Sequence, residues 1–173
     1  LQAGRRYLEL FRRQLREGRL DSTTELPPLD VSGLEALIAS LSSCDDLVVT
    51  GALQLLARQQ RGRVIPAVLL YHPSKAVVLQ ALEIFADSGR TDFVPISERL
   101  FEHEDPELRI GALFAVARVG TTSVLLERAA SDINPAVRAA AVVAFVASAP
   151  PEKTTCALPM LDTLIASGDP ATL

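Results

Sequence analysis

Residues His103–Gly120, HEDPELRIGALFAVARVG, read as one complete helix with both ends marked. Asp105 is a capping residue and Pro106 suits the first helical position, where no N–H is needed. Glu107 places negative charge in the first turn, and Gly120 can close the far end. Leu108, Ala112, Leu113, Val116 and Ala117 recur at helical spacing and make an apolar stripe that one helix cannot bury by itself.

The chain supplies neighbours as copies of this stretch: CDDLVVTGALQLLA at Cys44–Ala57, PSKAVVLQALEIFA at Pro73–Ala86, EDPELRIGALFAVA at Glu104–Ala117 and INPAVRAAAVVAFV at Ile133–Val146, with GDPATL opening a fifth. Their capping residues are Asp45, Ser74, Asp105, Asn134 and Asp169, spaced by 29, 31, 29 and 35 residues. Seven residues after each of the first four caps stands an alanine (52, 81, 112, 141), small enough for close helix approach, and four further on stand Leu56, Phe85, Val116 and Phe145. Gly89 and Gly120, each eight residues past its alanine, read as helix stops. A second apolar segment precedes each cap, at Leu34–Leu41, Val64–Leu70, Phe93–Phe101, Ser123–Ala130 and Leu158–Ile165, and is expected to form helix A of a pair whose helix B is the copied stretch. The period predicts an all-α chain, an α-α superhelix of about five helix pairs with the last incomplete. Leu53, Leu82 and Leu113 share one inward register position.

At this point the sequence resembles the HEAT family of helical repeats, on Pro95 and Pro159 in helix A, on Asp105–Pro106 with Leu108–Arg109, and on Asn134–Pro135 with Val137–Arg138. The resemblance implies a HEAT-like solenoid over residues 30–173 with a ladder of turn acids and arginines, built from Asp105, Arg109, Asn134 and Arg138, in which Asp105 is the expected partner between repeats. The first two copies depart from it, with Val49 and Val78 in the arginine position.

Half the residues are hydrophobic (49%) but only 5% are aromatic and Trp is absent, so the core is read as Leu, Val, Ile and Ala. No run approaches the ~20 apolar residues that cross a bilayer. The net charge of −4 is uneven: Leu1–Arg19 holds six arginines against Glu9 and Glu17, net +4, leaving 11 basic and 19 acidic residues, net −8, elsewhere. Leu8, Phe11 and Leu15 make Gly4–Glu17 an expected basic amphipathic helix, and Asp21–Asp30, with Pro27–Pro28, a linker, so that residues 1–29 precede the repeats within a single domain overall. The chain begins with Leu and stops just after the cap Asp169–Pro170, which reads as a piece of something longer whose last apolar edge, Leu161, Leu164 and Ile165, calls for a further helix or for self-association. Cys44 and Cys156, far apart and unpaired in spacing, fit free thiols in a reducing, cytoplasmic setting.

Little points to catalysis. His72 and His103 share one position two residues before consecutive caps, but packed helices lie roughly 8–10 Å apart, too far for two imidazoles to share one ion unaided, and they read as solvated turn residues. Glu102, Glu104, Asp105 and Glu107 form an acidic knot at an exposed turn, where nothing separates their pKa values. No serine lies in a Gly-x-Ser-x-Gly elbow and no Gly-rich phosphate loop appears. No catalytic, cofactor or metal site is therefore expected, and no enzyme activity. Nucleic acid would need a basic stripe along the repeats, and the balance there is acidic.

What is left is a binding surface. Helix-B positions two before and two after each alanine turn away from the core: Thr50 and Gln54, Leu79 and Glu83, Ile110 and Phe114, Ala139 and Val143. The stripe changes from polar to apolar along the chain, and the resemblance places helix B on the inner face of the array. The leading expectation is a non-catalytic scaffold whose B-helix surface receives a protein or another segment of the parent chain, with Ile110–Phe114 at its centre. The alternative is a cytosolic regulatory or structural domain of a membrane transporter. RRYLELFRRQLREGRLD and LEALIASLSSCDDLVVTGALQLL resemble the soluble HEAT segment of bacterial ATP/ADP-translocase-like transporters of the major facilitator type, which would tie the chain to a membrane only through what lies upstream.

Overall fold

A computed structural model of the protein describes residues 31–120, 125 and 128–148. Among the described residues there are helices and turns and no strand, the all-α helical-repeat class read from the sequence. The chain clusters into two compact units, Leu1–Ile84 and Phe85–Leu173, with the boundary inside a helix. The expected N-terminal helix and linker and the fifth helix pair lie outside the described residues.

The first unit contains α1 (Val31–Ser40) and α2 (Asp46–Arg58), which pack as a hairpin, then 3-10 turns at Gly62–Val64 and Ala67–Tyr71 and the start of α3 (Lys75–Asp87). Asp45 launches α2: its backbone is extended (φ −98°, ψ 110°) and its carboxylate accepts the Leu47 N–H at 3.0 Å. The far end closes in a Schellman motif, with the Gln60 N–H donating to Ala57 O at 2.9 Å and the Arg61 N–H to Leu56 O at 2.8 Å, and this forces Gln60 to φ 54°. Leu37, Val49, Ala52, Leu53, Leu56 and Ile65 are fully buried in this unit.

The second unit begins in the last turn of α3, where the same closure uses glycine: Gly89, at φ 62°, donates to Ala86 O and Arg90 N–H to Phe85 O. Arg90 then lies over the Phe85 ring, 4.4 Å from its centroid, and its fork holds Asp92 at 2.8 and 2.6 Å. That hydrogen bond, reinforced by the charge of Arg90, holds the Asp92 carboxyl below its ordinary pKa against a smaller opposing cost of burial. A short α4 (Val94–Ser97), a 3-10 turn (Glu98–Glu102), α5 (Pro106–Arg118), a helical segment containing Leu125, Arg128 and Ala129, and α6 (Pro135–Ser148) follow. Helices α5 and α6 make the most extensive contact between described elements, through Leu113 and Ala117 against Val137, Ala140, Ala141 and Ala144. Gly120, at φ 76°, closes α5 as Gly89 closes α3.

The register of the copies holds. Ala52, Ala81, Ala112 and Ala141 are all buried, as are Leu53, Leu82 and Leu113. The A elements differ from expectation in two copies. Val64–Leu70 is not one helix: Pro66 has no N–H to donate, and Ile65 before it is extended (ψ 124°), so the chain makes two 3-10 turns instead. In Phe93–Phe101 the proline falls in the first turn of α4, where it is tolerated, but after one turn the helix tightens to 3-10.

Candidate protein-binding surface

The turns between helices are built by one recurring device. Two residues before each cap, a side chain accepts the cap's own backbone N–H: Ser43 Oγ from Asp45 at 3.2 Å, His72 Nδ1 from Ser74 at 3.1 Å, His103 Nδ1 from Asp105 at 3.0 Å and Asp132 Oδ1 from Asn134 at 2.8 Å. The cap side chain then accepts the N–H two residues on, as Asp105 does from Glu107 at 2.9 Å and Asn134 from Ala136 at 2.9 Å. The two histidines are thus turn staples with Nδ1 as acceptor, which leaves the ring proton on Nε2. The acidic knot resolves into separate tasks, with Asp105 capping α5 and Glu102 facing Arg128 at 2.7 Å on the surface. Among the described residues no group of three or more His, Cys, Asp or Glu side chains is placed to hold a metal ion.

One of the two expected arginines pairs with an acid of the next turn. Arg109 Nε and Nη2 donate to the two oxygens of Asp132 at 3.0 and 2.9 Å, while Nη1 donates to the carbonyls of His103 at 2.7 Å and Glu104 at 3.1 Å. The acid that Arg109 holds is thus Asp132 and not the expected Asp105, whose Oδ1 accepts the Glu107 N–H at the cap of α5. Arg138 anchors its Nη1 in the same manner, on Asp132 O and Ile133 O at 3.1 and 3.2 Å. In the first two copies the arginine position is filled by Val49 and Val78, both core residues. Asp132 was missed from sequence, yet a signal was present: it replaces the histidine of the two preceding turns in the repeat that follows an arginine. A cleft of about 320 Å³ opens here, lined by Phe101, Arg109, Leu125, Arg128, Ala129, Ser131, Asp132 and Val137, but its arginines already face Asp132 and Glu102.

The outward helix-B positions divide between the units. In the first, Thr50 is half-buried with its hydroxyl donating to Asp46 O at 2.9 Å, Gln54 and Glu83 are exposed, and Leu79 is half-buried. In the second, Phe114 is 37% and Val143 58% exposed, at the same register position of the two helices that pack together. Ile110, expected to stand exposed beside Phe114, is partly buried against the α5–α6 cluster, because its place on α5 turns it toward α6. Ala139 is half-buried. Val146, three residues past Val143, is 39% exposed and extends the stripe; its i, i+4, i+7 spacing from Ala139 through Val143 was readable in the sequence. Apart from Arg138, α6 carries no charged residue.

Residues 63–146 match the family model for HEAT repeats. No curated protein matches the chain. The matched residues contain the Arg109–Asp132 pair and the Phe114–Val143 stripe, and nothing in the match bears on the expected likeness to a transporter segment. Among the described residues no helix is long and apolar enough to cross a membrane.

Proposed function

We propose that this chain is a non-catalytic, HEAT-like binding module that receives an apolar segment of another protein on the face of α5 and α6, with Phe114 and Val143 as the anchoring contacts and Val146 and Ala139 beside them. The observation that carries this reading is the pair of large apolar side chains left in water at equivalent positions on two packed helices whose neighbouring residues, Leu113 and Val142, are buried. Folding gives no reason for an exposed phenylalanine there, and an aromatic anchor that becomes desolvated is the usual centre of binding energy. Likeness to HEAT repeats supports the same reading, since such repeats commonly serve as protein-interaction scaffolds. Thr50, Gln54 and Glu83 belong to the polar part of the stripe, and with the half-buried Leu79 beside them would contribute little affinity.

The test is site-directed photo-crosslinking. A benzophenone side chain at position 114 should give an adduct of discrete mass with a second protein, one at Glu98 should give none, and Val143→Asp should remove the first. Equal adducts from both positions would remove the case for this face.

A further inference from the structure

His103 takes part in two interactions that a single proton sets against each other. Its Nδ1 accepts the Asp105 N–H at 3.0 Å, and its carbonyl accepts from Arg109 Nη1 at 2.7 Å. The Glu104 carbonyl takes the same nitrogen at 3.1 Å, so residues 103–105 are at once the staple of the α5 cap and the seat of the guanidinium. The far edge of that guanidinium holds both oxygens of Asp132, two residues before the cap of α6. A shift of the His103 turn is therefore passed by Arg109 to the turn before α6.

The staple needs an acceptor and not an imidazole: Ser43 Oγ serves in the turn before α2 and Asp132 Oδ1 in the turn before α6. A ring nitrogen differs because protonation turns it from acceptor into donor, leaving two N–H groups face to face. Histidine is the side chain that makes this exchange between about pH 5 and 8. His103 is exposed, so the proton reaches it from water. His72 staples its own turn in the same way, but Val78 stands four residues after that cap, where Arg109 stands here.

Charges around the ring pull both ways. Its own turn carries Glu102, Glu104 and Asp105. The 3-10 turn leading into it adds Glu98 and Arg99 and packs on α4, which has no charged side chain, and on α5, which brings Glu107, Arg109 and Arg118. Asp132 and Arg128 complete the set, bound to Arg109 and Glu102 respectively. The glutamates are exposed, so water and salt screen their attraction for a ring proton. The Arg109 side chain is only 10% exposed, and its repulsion of a second cation is screened less. Loss of the staple and repulsion from Arg109 thus act together.

We infer that His103 is a proton-operated latch. Neutral, it holds the α5 cap and seats Arg109 on Asp132. Protonated, it releases the Asp105 N–H and unseats the guanidinium, which loosens the tie between the turns before α5 and α6. The latch is closed at neutral pH and opens in acid. It is independent of the Phe114–Val143 face, so either can fail alone.

The experiment acidifies the ¹⁵N-labelled full chain from about pH 8 to about pH 5 and follows the His103 ring nitrogens, the Asp105 amide and the Arg109 Nε–Hε resonance. The ring should be the Nε2–H tautomer at the alkaline end, and the Arg109 resonance should shift with the midpoint of the ring. Hydrogen exchange at Asp105, taken relative to His103→Asn at each pH, should rise about fivefold across that midpoint, the loss of one hydrogen bond. Asparagine offers Oδ1 to the same N–H at every pH, so in His103→Asn the Arg109 resonance should stay in place, and His103→Ser, copying Ser43, should behave likewise. His72→Asn should leave the Arg109 titration intact. Four results overturn the proposal: an Arg109 resonance that is still or follows another midpoint, a neutral ring protonated on Nδ1, an acid shift of Arg109 that persists in both His103 variants, or its abolition by His72→Asn. The first two are read on the parent chain and need no variant. The third would place the response on the carboxylates around the turn.

Discussion

Arg109 grips both carboxylate oxygens of Asp132, 23 residues away, with the two side chains only 10% and 14% exposed. The pair joins the turn before α5 to the turn before α6, because the same guanidinium also ties down the carbonyls of His103 and Glu104. Removing one partner leaves a buried charge uncompensated, so Arg109→Gln or Asp132→Asn should each cost about 3–5 kcal/mol in chemical denaturation. The double change Arg109→Val with Asp132→His rebuilds the combination that the chain uses at Val49 and His72, and should lose markedly less than the two single changes summed.

Leu113 and Phe114 are sequence neighbours on opposite sides of the packing problem. Leu113 is fully buried between α5 and α6, and Leu113→Ala should cost about 2–5 kcal/mol. Phe114→Ala should cost less than about 1 kcal/mol. Equal denaturation midpoints for the two variants would break the helix-B register.

Helix stops give a sharper backbone test. Gly89 and Gly120 close α3 and α5 at φ 62° and 76°, and a Cβ at either would meet nothing within 4 Å, so the cost of Gly→Ala there is purely conformational, about 1 kcal/mol. Gln60 occupies the equivalent place in α2 at φ 54° without being glycine. Gln60→Gly should therefore stabilise by roughly 0.5–1 kcal/mol, the relief of left-handed strain exceeding the extra freedom of the unfolded chain.

Asp92 supplies a pH dependence of known sign. Arg90 holds its carboxyl below the ordinary value in the folded chain, so the unfolded chain binds its proton at higher pH than the folded one. Its contribution is complete above the ordinary carboxylate range and is lost as pH falls through the depressed folded value. Because the carboxylate is mostly exposed, the effect is small and is best read as a flattened acid limb of the stability–pH curve in Asp92→Asn.

The helix-B units were legible in the sequence because each carries its own punctuation: a capping side chain, an alanine seven residues on, and a glycine or its substitute at the stop. Helix A was less legible. Apolar spacing at Val64–Leu70 fits a helix, and only the single proline at 66 breaks the hydrogen-bond ladder that the pattern assumes. For the site, Phe114 and Val143 followed from register alone, whereas Ile110 did not, since a position 40° nearer the partner helix decides between water and a neighbour's alanines. Asp132 escaped because its one mark, an acid where the two preceding turns carry histidine, does not by itself name an arginine 23 residues away as its partner.

The central claim, that α5 and α6 carry a binding surface rather than unfinished core, is tested most directly by thermal melting of Phe114→Asp together with crosslinking from position 143. The account predicts an unchanged helical signal, a melting temperature within about 4 °C of the parent, the shift equivalent to 1 kcal/mol or less, and loss of the crosslinked adduct. A chain that no longer unfolds cooperatively would place Phe114 in the core and contradict the account.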